Sequence, residues 1–391
     1  MEERLFVRWL DNGTGTFRPM SLRIENGVAV GMTPSQEQDG EPIYMSDGFI
    51  DSHAHVYDGA TDLGFPVDEI GYKTGVHLVV DAGSAGAINY PCFYKYVLPS
   101  YKTPVKVFLN IGRAGLVSKQ PYYDERLIDA AAVENCVAAY GRETIIGIKV
   151  LSSGLIVEHS GLKPMQIAAE TAGKLGLPLM AHLVEGPPSN QETMRLMRKG
   201  DIITHCFHGA PNLEANRKAS RGAPLRLEYC KLDNIMWNPD GTPVKALEEA
   251  LMRGVRLDVG HGSGSFDQNI ARPVIASGFY AFSISTDAHI RSVHSVVHSL
   301  PHVMSKFLAL GMPLPDVVRS VTSIPAGNLG LEGWCGHPLE RATLFRVRRT
   351  RESDPPFMDS NRVPMDVRQV IEPIAIIRGA EFVKLAAWEG E

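Results

Sequence analysis

The chain has 391 residues, of which 44% are hydrophobic and 21% are charged, and it carries a formal net charge of −5. This length is too great for one small core, so it predicts one large barrel-type domain with an appendage, or two to three ordinary domains. The slightly acidic charge gives no reason to expect nucleic acid or an anionic membrane as a partner, and a small molecule is the expected substrate.

Five cysteines are scattered along the chain, and no Cys-x-x-Cys pair occurs. An odd and dispersed set argues against a disulfide framework and against a thiolate metal site, so a reducing cytoplasm is the expected location. The first residues mix charges into a short strand-like segment, unlike the apolar core of a signal peptide. No run approaches the roughly 20 apolar residues needed to span a bilayer.

The order of apolar segments indicates an α/β fold. Residues 1–47 contain short apolar segments separated by Asp-Asn-Gly and Glu-Asn-Gly turns, which are hairpin signals. From residue 48 onward, short apolar strands alternate with longer segments of helical character, as in repeated βα units. Strands are predicted at 48–55, 77–83, 105–111, 145–151, 178–183, 201–207, 256–262 and 280–287. Eight such units predict a closed (β/α)8 TIM barrel.

The helices predicted between these strands are each followed by glycine, which favours a left-handed C-terminal residue. The clearest are Glu125–Tyr140, Lys163–Leu175, Gln191–Lys199, Val244–Arg253 and His294–Leu310, and a last helix is expected near 315–329. The long connection 208–243 is rich in Gly, Pro, Asn and Arg, and it is interpreted as an active-site loop or a subunit contact.

The chain from about residue 336 returns to short β segments like those of the N-terminal part. Chain ends of similar character predict one shared small β-sandwich, made of residues 1–47 and 336–391, beside a barrel of residues 48–335.

Polar residues at the carboxyl ends of the predicted strands form the candidate site. In such a barrel, reactive groups lie at these strand ends on the face that points inward. Alternate residues of a strand share a face, so the two histidines of His53-Ala-His55 project together. The same parity, applied along the chain, gives the inward set His53, His55, Lys149, His182, His205 and Asp287.

Each member of this set has a structural explanation when taken alone. A strand-end histidine is more often a satisfied core residue than a ligand, and a strand-end aspartate is often a helix cap. A lysine inside a barrel is costly unless it is paired or modified. Six such residues in phase on five strands are hard to explain by packing, and together they indicate a site that carries chemistry.

This ordered set resembles the metal site of the amidohydrolase superfamily, in the subtype with two metals bridged by a carbamylated lysine. The resemblance covers nearly the whole chain, because a split β-sandwich also flanks the barrel in these enzymes. Segments 200–209, 257–266 and 284–289 are similar to a branch labelled dihydroorotase or deacetylase. True dihydroorotases carry an arginine two residues after the His-x-His pair. This chain has Tyr57 there, which argues against dihydroorotase activity.

The resemblance implies two divalent ions, and neutral imidazoles with oxygen ligands suit Zn²⁺ or a similar metal. His53, His55 and Asp287 would hold one ion and His182 and His205 the other. Carbamylated Lys149 and a hydroxide would bridge both ions. The bridging hydroxide would attack the substrate, and Asp287 would accept its proton and pass it to the leaving group.

The implied activity is deacetylation of small acetylated α-hydroxy acids such as acetyl-mandelate. Two alternatives remain open from the sequence. One is an amide hydrolase, either an N-acyl amino acid deacetylase or a cyclic amidase similar to dihydropyrimidinase or dihydroorotase. The other is a non-catalytic barrel scaffold. A homo-oligomer is expected from the precedent of other barrels.

Two further residues are candidates for contact with a substrate carboxylate. Arg113 follows the third predicted strand, and an arginine fork matches a carboxylate, although an exposed loop arginine is an equal alternative. His261, inward at the end of the seventh strand, is a candidate donor to the substrate carbonyl or carboxylate. His294, His298 and His302 recur at helical spacing, which is more typical of a solvated or packed helix face than of a metal site.

Overall fold

The computed structural model describes residues 2–117, 120–154, 156–157, 159–186, 188–209 and 235–388, and its strands form two sheets. The strands in chain order are β1 (Glu2–Asp11), β2 (Thr16–Glu25), β3 (Val28–Pro34), β4 (Ile43–Asp47), β5 (Phe49–Ala54), β6 (Val76–Gly86), β7 (Val105–Asn110), β8 (Ile145–Leu151), β9 (Leu179–His182), β10 (Ile202–Thr204), β11 (Arg256–Asp258), β12 (Phe282–Ser283), β13 (Arg341–Arg349), β14 (Gln369–Arg378) and β15 (Glu381–Lys384). The first sheet comes from the two chain ends, and the second comes from the middle of the chain.

The chain ends form one closed ring of strands in the order β1-β2-β3-β15-β14-β13-β4. Asn26 and Gly27 connect β2 to β3 with left-handed φ angles of 51° and 80°, as the Asn-Gly hairpin signal predicts. The two ends are therefore joined in one β unit, as predicted. The expected two-sheet sandwich is not confirmed, because the strands continue around a ring. The domain boundaries at residues 47 and 335 stay predictions.

The middle of the chain forms an eight-stranded sheet from β5 to β12, in which every neighbouring pair is parallel. Its two edges meet where the His55 amide donates to the Ala288 carbonyl at 2.8 Å and the Asp287 amide donates to the His53 carbonyl at 2.7 Å. A strand overlaps each of the eight predicted strand segments, and the predicted barrel arrangement is confirmed. Parallel strands place all carboxyl ends on one side, where the site is expected.

Helices follow the strands of this sheet and pack against it in one large apolar cluster. The helices in chain order are α1 (Tyr90–Cys92), α2 (Ala130–Tyr140), α3 (Lys163–Leu175), α4 (Asn190–Arg195), α5 (Lys245–Met252), α6 (Gln268–Ala276), α7 (Leu300–Ala309), α8 (Leu314–Arg319) and α9 (Ser323–Asn328). Within the part of the chain that the structure describes, no helix has both the length and the apolar character needed to cross a membrane.

Two predicted helices are longer than the observed ones. The helix expected from Glu125 begins at Ala130, because the Asp129 side chain accepts the Ala132 amide at 2.9 Å and caps the helix there. The helix expected over 191–199 is shortened to α4. Capping by a side chain thus sets a boundary that apolar spacing alone placed too early.

Other helices were missed or divided. The prediction had no helix at α6, where Pro273 lies inside the helix and resembles a loop signal. The Asp267 side chain caps this helix by accepting the Asn269 amide at 2.8 Å. The helix expected near 315–329 is divided into α8 and α9.

The prediction of a helix from His294 is wrong over its first six residues. The observed helix α7 begins at Leu300, because the Ser299 side chain accepts the His302 amide at 3.4 Å. His298 lies just before this cap with a left-handed φ of 58°. The three histidines of this segment therefore do not lie on one helix, although their spacing is helical.

A packed apolar cluster lies below the carboxyl ends of the barrel strands. Its buried members are Ile50, Leu78, Val80, Ala82, Phe108, Ile146, Met180, Ile202, Ala326 and Leu329. Gly147 of β8 fits this packing closely, since a Cβ there would lie 2.1 Å from the Phe108 ring. The polar strand ends thus lie above a packed apolar cluster, which has no room for an additional methyl group at Gly147.

We expect Gly147→Ala to lower the free energy of unfolding by about 1–3 kcal/mol, because the new methyl group overlaps Phe108 in a packed core. Denaturant unfolding would measure the change. Gly327→Ala is the matched control, since no atom lies within 4 Å of the added carbon. Adding Phe108→Leu to Gly147→Ala should recover part of the loss. Equal stabilities for the two single variants would contradict the packing argument.

Candidate metal centre

Two histidines and one aspartate meet where the barrel sheet closes. The Nε2 atoms of His53 and His55 lie 3.4 Å and 3.1 Å from Oδ1 of Asp287. One donor atom from each of these residues falls within 4.8 Å of the others, which is a spacing suited to a shared metal ion. The hydrogen bonds between β5 and the segment after β12 bring the three side chains together.

The other three predicted ligands lie beside this group. Nζ of Lys149, on β8, is 3.5 Å from Nε2 of His53. The His205 ring lies 5.2 Å from the His53 ring and 4.4 Å from the His182 ring, measured between ring centroids. The structure therefore brings all six residues of the predicted set into one cluster at the carboxyl ends of the strands.

The remaining nitrogen of three of these imidazoles has an oxygen partner. Nδ1 of His53 is 2.8 Å from the Thr204 hydroxyl, and Nδ1 of His55 is 3.0 Å from the Ser84 hydroxyl. Nδ1 of His205 donates to the Gly260 carbonyl at 2.7 Å. Such contacts fix ring orientation and leave Nε2 free to face a metal.

Two residues of the cluster have left-handed backbone conformations. His205 has a φ of 68° and Asp287 a φ of 46°. Non-glycine residues in this region cost about 1–3 kcal/mol each and persist only where surrounding contacts hold them. The bond from the Asp287 amide to the His53 carbonyl, at 2.7 Å, is one such contact. The backbone is thus held in an unfavourable shape at two of the clustered residues.

Asp258 of β11 is a buried carboxylate next to the cluster that the sequence analysis did not find. It accepts hydrogen bonds from the hydroxyls of Ser52, Ser283, Thr204 and Ser285, at 2.7 to 2.8 Å. Thr204 also contacts Nδ1 of His53, so Asp258 supports the orientation of that ring through it. An acidic residue inside the apolar strand Leu257-Asp258-Val259 was the signal available in the sequence.

Burial and neighbouring charges favour neutral imidazoles in the cluster. Burial, assisted by the charge of Lys149, lowers the pKa of His53 to about 4 and that of His182 to about 3. Burial also lowers the pKa of His205 well below its usual value. A neutral imidazole is the form that binds a metal, so the cluster is ready for one near neutral pH.

Burial and neighbouring groups also change the pKa values of the lysine and the carboxylates in and beside the cluster. Burial lowers the pKa of Lys149 to about 8, which increases the neutral amine fraction. Burial would raise the pKa of Asp287, but His53 and His55 outweigh it and hold that pKa well below its usual value. In the same way, hydrogen bonds from His53, Ser283 and Thr204 overcome burial and lower the pKa of Asp258 to about 2.

The two predicted substrate contacts have other partners in the structure. The Arg113 side chain is 43% exposed and forms an ion pair with Asp129, the cap of α2, at 3.4 Å. Nδ1 of His261 donates to the Gly262 carbonyl at 2.9 Å, and Nε2 lies 2.9 Å from Nζ of Lys306. Both ring nitrogens of His261 are therefore engaged within the protein.

Tyr57, in the position of the dihydroorotase arginine, packs inside the protein. Its ring stacks on Phe93 with centroids 4.3 Å apart, and its hydroxyl donates to the Asn89 carbonyl at 2.9 Å. Tyr57 thus fixes the loop after β6 and has no charge to offer a carboxylate.

The connection predicted at 208–243 borders the cluster through its described ends. At one end, His208 is buried, and its charge contributes to the lowered pKa of His182. At the other end, the Trp237 indole donates to the Cys206 carbonyl at 2.7 Å. Residues 210–234 lie outside the described residues, so the interpretation as an active-site loop or subunit contact stays a prediction.

Comparison with known proteins gives consistent relatives, although no family model matches the chain. A deacetylase from Brucella anthropi is 33% identical over 348 residues, which cover 88% of this chain and 81% of the relative. A deacetylase from Agrobacterium fabrum is 32% identical over 351 residues, which cover 89% of this chain and 81% of the relative.

Two solved structures share nearly the whole fold. The crystal structure of a dihydroorotase has a TM-score of 0.80 and 29% identity, and the match covers 98% of each chain. The crystal structure of an adenine deaminase has a TM-score of 0.78 and 27% identity, with 97% of this chain and 98% of that chain covered.

We expect Asp258→Asn to weaken Zn²⁺ binding by about 10- to 100-fold, because the amide cannot accept from all four hydroxyls, one of which, on Thr204, contacts the His53 ring. Competition with a chromophoric chelator would measure the affinity. Asp201→Asn is the matched control: Asp201 is also fully buried, but it accepts from the Leu179 amide and Arg198 at the amino ends of the strands. Equal zinc affinity in the two variants would contradict this role.

Proposed function

The chain belongs to the amidohydrolase superfamily and is a hydrolase, and on this basis we propose that it is a binuclear metal enzyme that deacetylates small acetylated α-hydroxy acids. The observation that carries the proposal is the convergence of the side chains of His53, His55 and Asp287, with Lys149 3.5 Å from His53. The non-catalytic alternative is not retained, since the relatives and the structural neighbours are enzymes by name.

The donor set fits divalent metals. His53 and His55 present Nε2 toward Asp287, while hydroxyls hold their Nδ1 atoms. Neutral imidazoles with a carboxylate are typical ligands of zinc. In the proposal, His53, His55 and Asp287 hold one ion, and His182 and His205 hold the second.

In the proposal, Lys149 would complete the centre as a carbamate whose oxygens help to hold both ions. Its side chain is 1% exposed, and burial lowers its pKa to about 8, so the neutral amine is accessible near neutral pH. In the proposed step the neutral amine nitrogen attacks CO2, a C–N bond forms while one C=O π bond breaks onto its oxygen, and the nitrogen gives up one proton to solvent water. The product is an anion with two oxygen ligands, which removes the cost of a buried cation and supplies negative charge.

Bound divalent ions would polarise the substrate carbonyl and lower the pKa of the attacking water. Asp287 would then transfer a proton from the attacking water to the leaving group. Its carboxylate is ionised at neutral pH, and Oδ1 faces the two histidines, while Oδ2 faces Gly262, where a Cβ would come within 2.2 Å. In the proposal, this carboxylate accepts the proton of the attacking water and delivers it to the leaving alcohol.

The substrate class follows from the relatives and from Tyr57. Two relatives are named deacetylases, and the residue in the place of the dihydroorotase arginine is an uncharged, packed tyrosine. We therefore propose an acetyl ester of a small α-hydroxy acid, such as acetyl-mandelate, over a cyclic amide. The second candidate is amide hydrolysis, on an N-acyl amino acid or a cyclic amide, and it is favoured by the similarity to the dihydroorotase structure.

We expect zinc-loaded enzyme to hydrolyse acetyl-mandelate faster than N-acetyl amino acids or dihydroorotate. Release of acetate would measure turnover of the acetyl substrates, and formation of carbamoyl aspartate would measure ring opening of dihydroorotate. Dialysis against a chelator should abolish turnover, and added Zn²⁺ should restore it. Zinc-loaded His55→Asn is the control for contaminating esterases and should be at least 100-fold slower. Activity only on amides would overturn the assignment of an ester substrate, but the enzyme would still be a metal-dependent hydrolase.

We also expect ¹³C-bicarbonate to label Lys149. The zinc-loaded enzyme should show one carbamate ¹³C signal that is lost in Lys149→Met, because burial lowers the pKa of Lys149 and so increases the neutral amine fraction that reacts with CO2. Lys106→Met is the matched control, since burial also lowers the pKa of Lys106, which lies at the amino end of β7 and donates to the Glu143 carbonyl at 2.6 Å. A carbamate signal that persists in Lys149→Met would disprove the assignment to this lysine.

A further inference from the structure

A short loop after β11 touches two residues of the proposed centre. We call residues 260–262 the strand-seven loop, because β11 is the seventh strand of the barrel sheet. In this loop, the Gly260 carbonyl accepts from Nδ1 of His205 at 2.7 Å. Gly262 lies so close to Asp287 that a Cβ on it would be 2.2 Å from Oδ2. Both glycines have left-handed φ angles, 48° and 50°. Glycine adopts many conformations with little preference, so contacts from elsewhere must fix this loop.

The His261 side chain supplies the first of these contacts. Its Nδ1 donates to the Gly262 carbonyl at 2.9 Å, and its ring stacks on Phe266 with centroids 4.6 Å apart. A carbonyl oxygen only accepts, so Nδ1 carries a proton. Nε2 is 2.9 Å from Nζ of Lys306. The imidazole thus links the loop backbone to a buried lysine.

Lys306 lies on α7 and is fully buried. Besides His261, its Nζ donates to the Val296 carbonyl at 2.5 Å and to the Met358 carbonyl at 2.7 Å. Three acceptors match the three donors of an ammonium group. Burial lowers the pKa of this lysine and the nearby Asp359 carboxylate opposes that effect. A buried amine is costly, so its complete set of partners indicates a specific role.

The C-terminal part of the chain holds the same loop from a second direction. The Ser360 hydroxyl lies 3.0 Å from the His261 carbonyl and 3.2 Å from the Gly262 carbonyl. Ser360 comes directly after two residues that act on Lys306. The Met358 carbonyl accepts a hydrogen bond from it, and the Asp359 carboxylate opposes the lowering of its pKa by burial. One short segment, residues 358–360, therefore contacts both the lysine and the loop.

We propose that Lys306 is a positioning residue of the proposed metal centre, because it holds the His261 imidazole and thereby fixes the strand-seven loop against His205 and Asp287. The inference rests on the proposed function for its metal readout. Its chemistry is confined to hydrogen bonds, since Lys306 itself contacts His261 and two backbone carbonyls.

The test is a double-mutant cycle on the zinc-loaded enzyme. Lys306→Met keeps the length of the side chain without donors, and His261→Phe keeps the ring stack without nitrogens. Each variant should release zinc to a chromophoric chelator about tenfold faster than wild type. The variant with both changes should release it no faster than the faster single variant, since the two residues act through one contact.

Ser305→Ala is the matched control on the same helix. Ser305 is fully buried, donates to the Pro301 carbonyl at 2.7 Å and accepts from the Ile371 amide at 2.9 Å, so it joins α7 to the terminal ring. We expect this variant to lower the melting temperature without faster zinc release. An unchanged rate of zinc release in Lys306→Met would overturn the proposal. So would a rate in the double variant that equals the product of the two single effects, or fast release in Ser305→Ala.

A second measurement on metal-free protein separates this inference from the proposed function. The ¹⁵N spectrum should show His261 with a proton on Nδ1. The amide signals of Gly260 and Gly262 should move in Lys306→Met and stay in place in Ser305→Ala. If wild type binds no zinc, the proposed function fails, yet moved loop signals would still support the positioning role. Unmoved loop signals in Lys306→Met would overturn that role.

Discussion

The closure of the barrel sheet is the interaction on which the site depends. The Asp287 amide donates to the His53 carbonyl at 2.7 Å, and the next bond along this seam joins His55 to Ala288 at 2.8 Å. These bonds bring the first strand and the segment after the last strand together. Because side chains leave the backbone at fixed angles, the same closure places the Asp287 carboxylate between two imidazoles. The same hydrogen bonds therefore close the barrel sheet and bring the residues of the candidate metal centre together.

Closure also forces polar groups into the interior, and two buried carboxylates respond differently. Asp258 has four hydroxyl donors, and its pKa falls to about 2 in spite of burial. For Asp51, burial dominates over the amide and hydroxyl of Thr286 and raises the pKa to about 7. The His53 imidazole and the hydroxyl donors together lower the pKa of Asp258, whereas the donors of Asp51 do not offset its burial. The permanent negative charge lies beside the His53 ring, which it helps to orient for a cation.

The sequence predicted the parts of the site that depend on local periodicity. Strand parity and the carboxyl-end rule were enough to find six residues on five strands, because each residue is read within its own strand. Asp258 was missed because its partners are hydroxyls on three other strands. The predicted helix from His294 failed because a serine cap and a left-handed residue interrupt a spacing that is otherwise helical. The joining of the two chain ends in one β unit was predicted, but its closure into a ring was not, since hairpin signals fix only the pairing of neighbouring strands.

The least predictable feature is the reach of the C-terminal segment into the barrel. Sequence character assigned residues 336–391 to the terminal β unit, yet Ser360 contacts the carbonyls of His261 and Gly262, and Asn361 donates to Asp267 at 3.0 Å. These contacts join residues about 100 positions apart through polar groups that have no periodic pattern. They make the ring and the barrel dependent on each other, because a change in the ring that shifts this segment also removes one acceptor, the Met358 carbonyl, from Lys306. The precision of the strand-seven loop is thus a property of the whole chain rather than of the barrel alone.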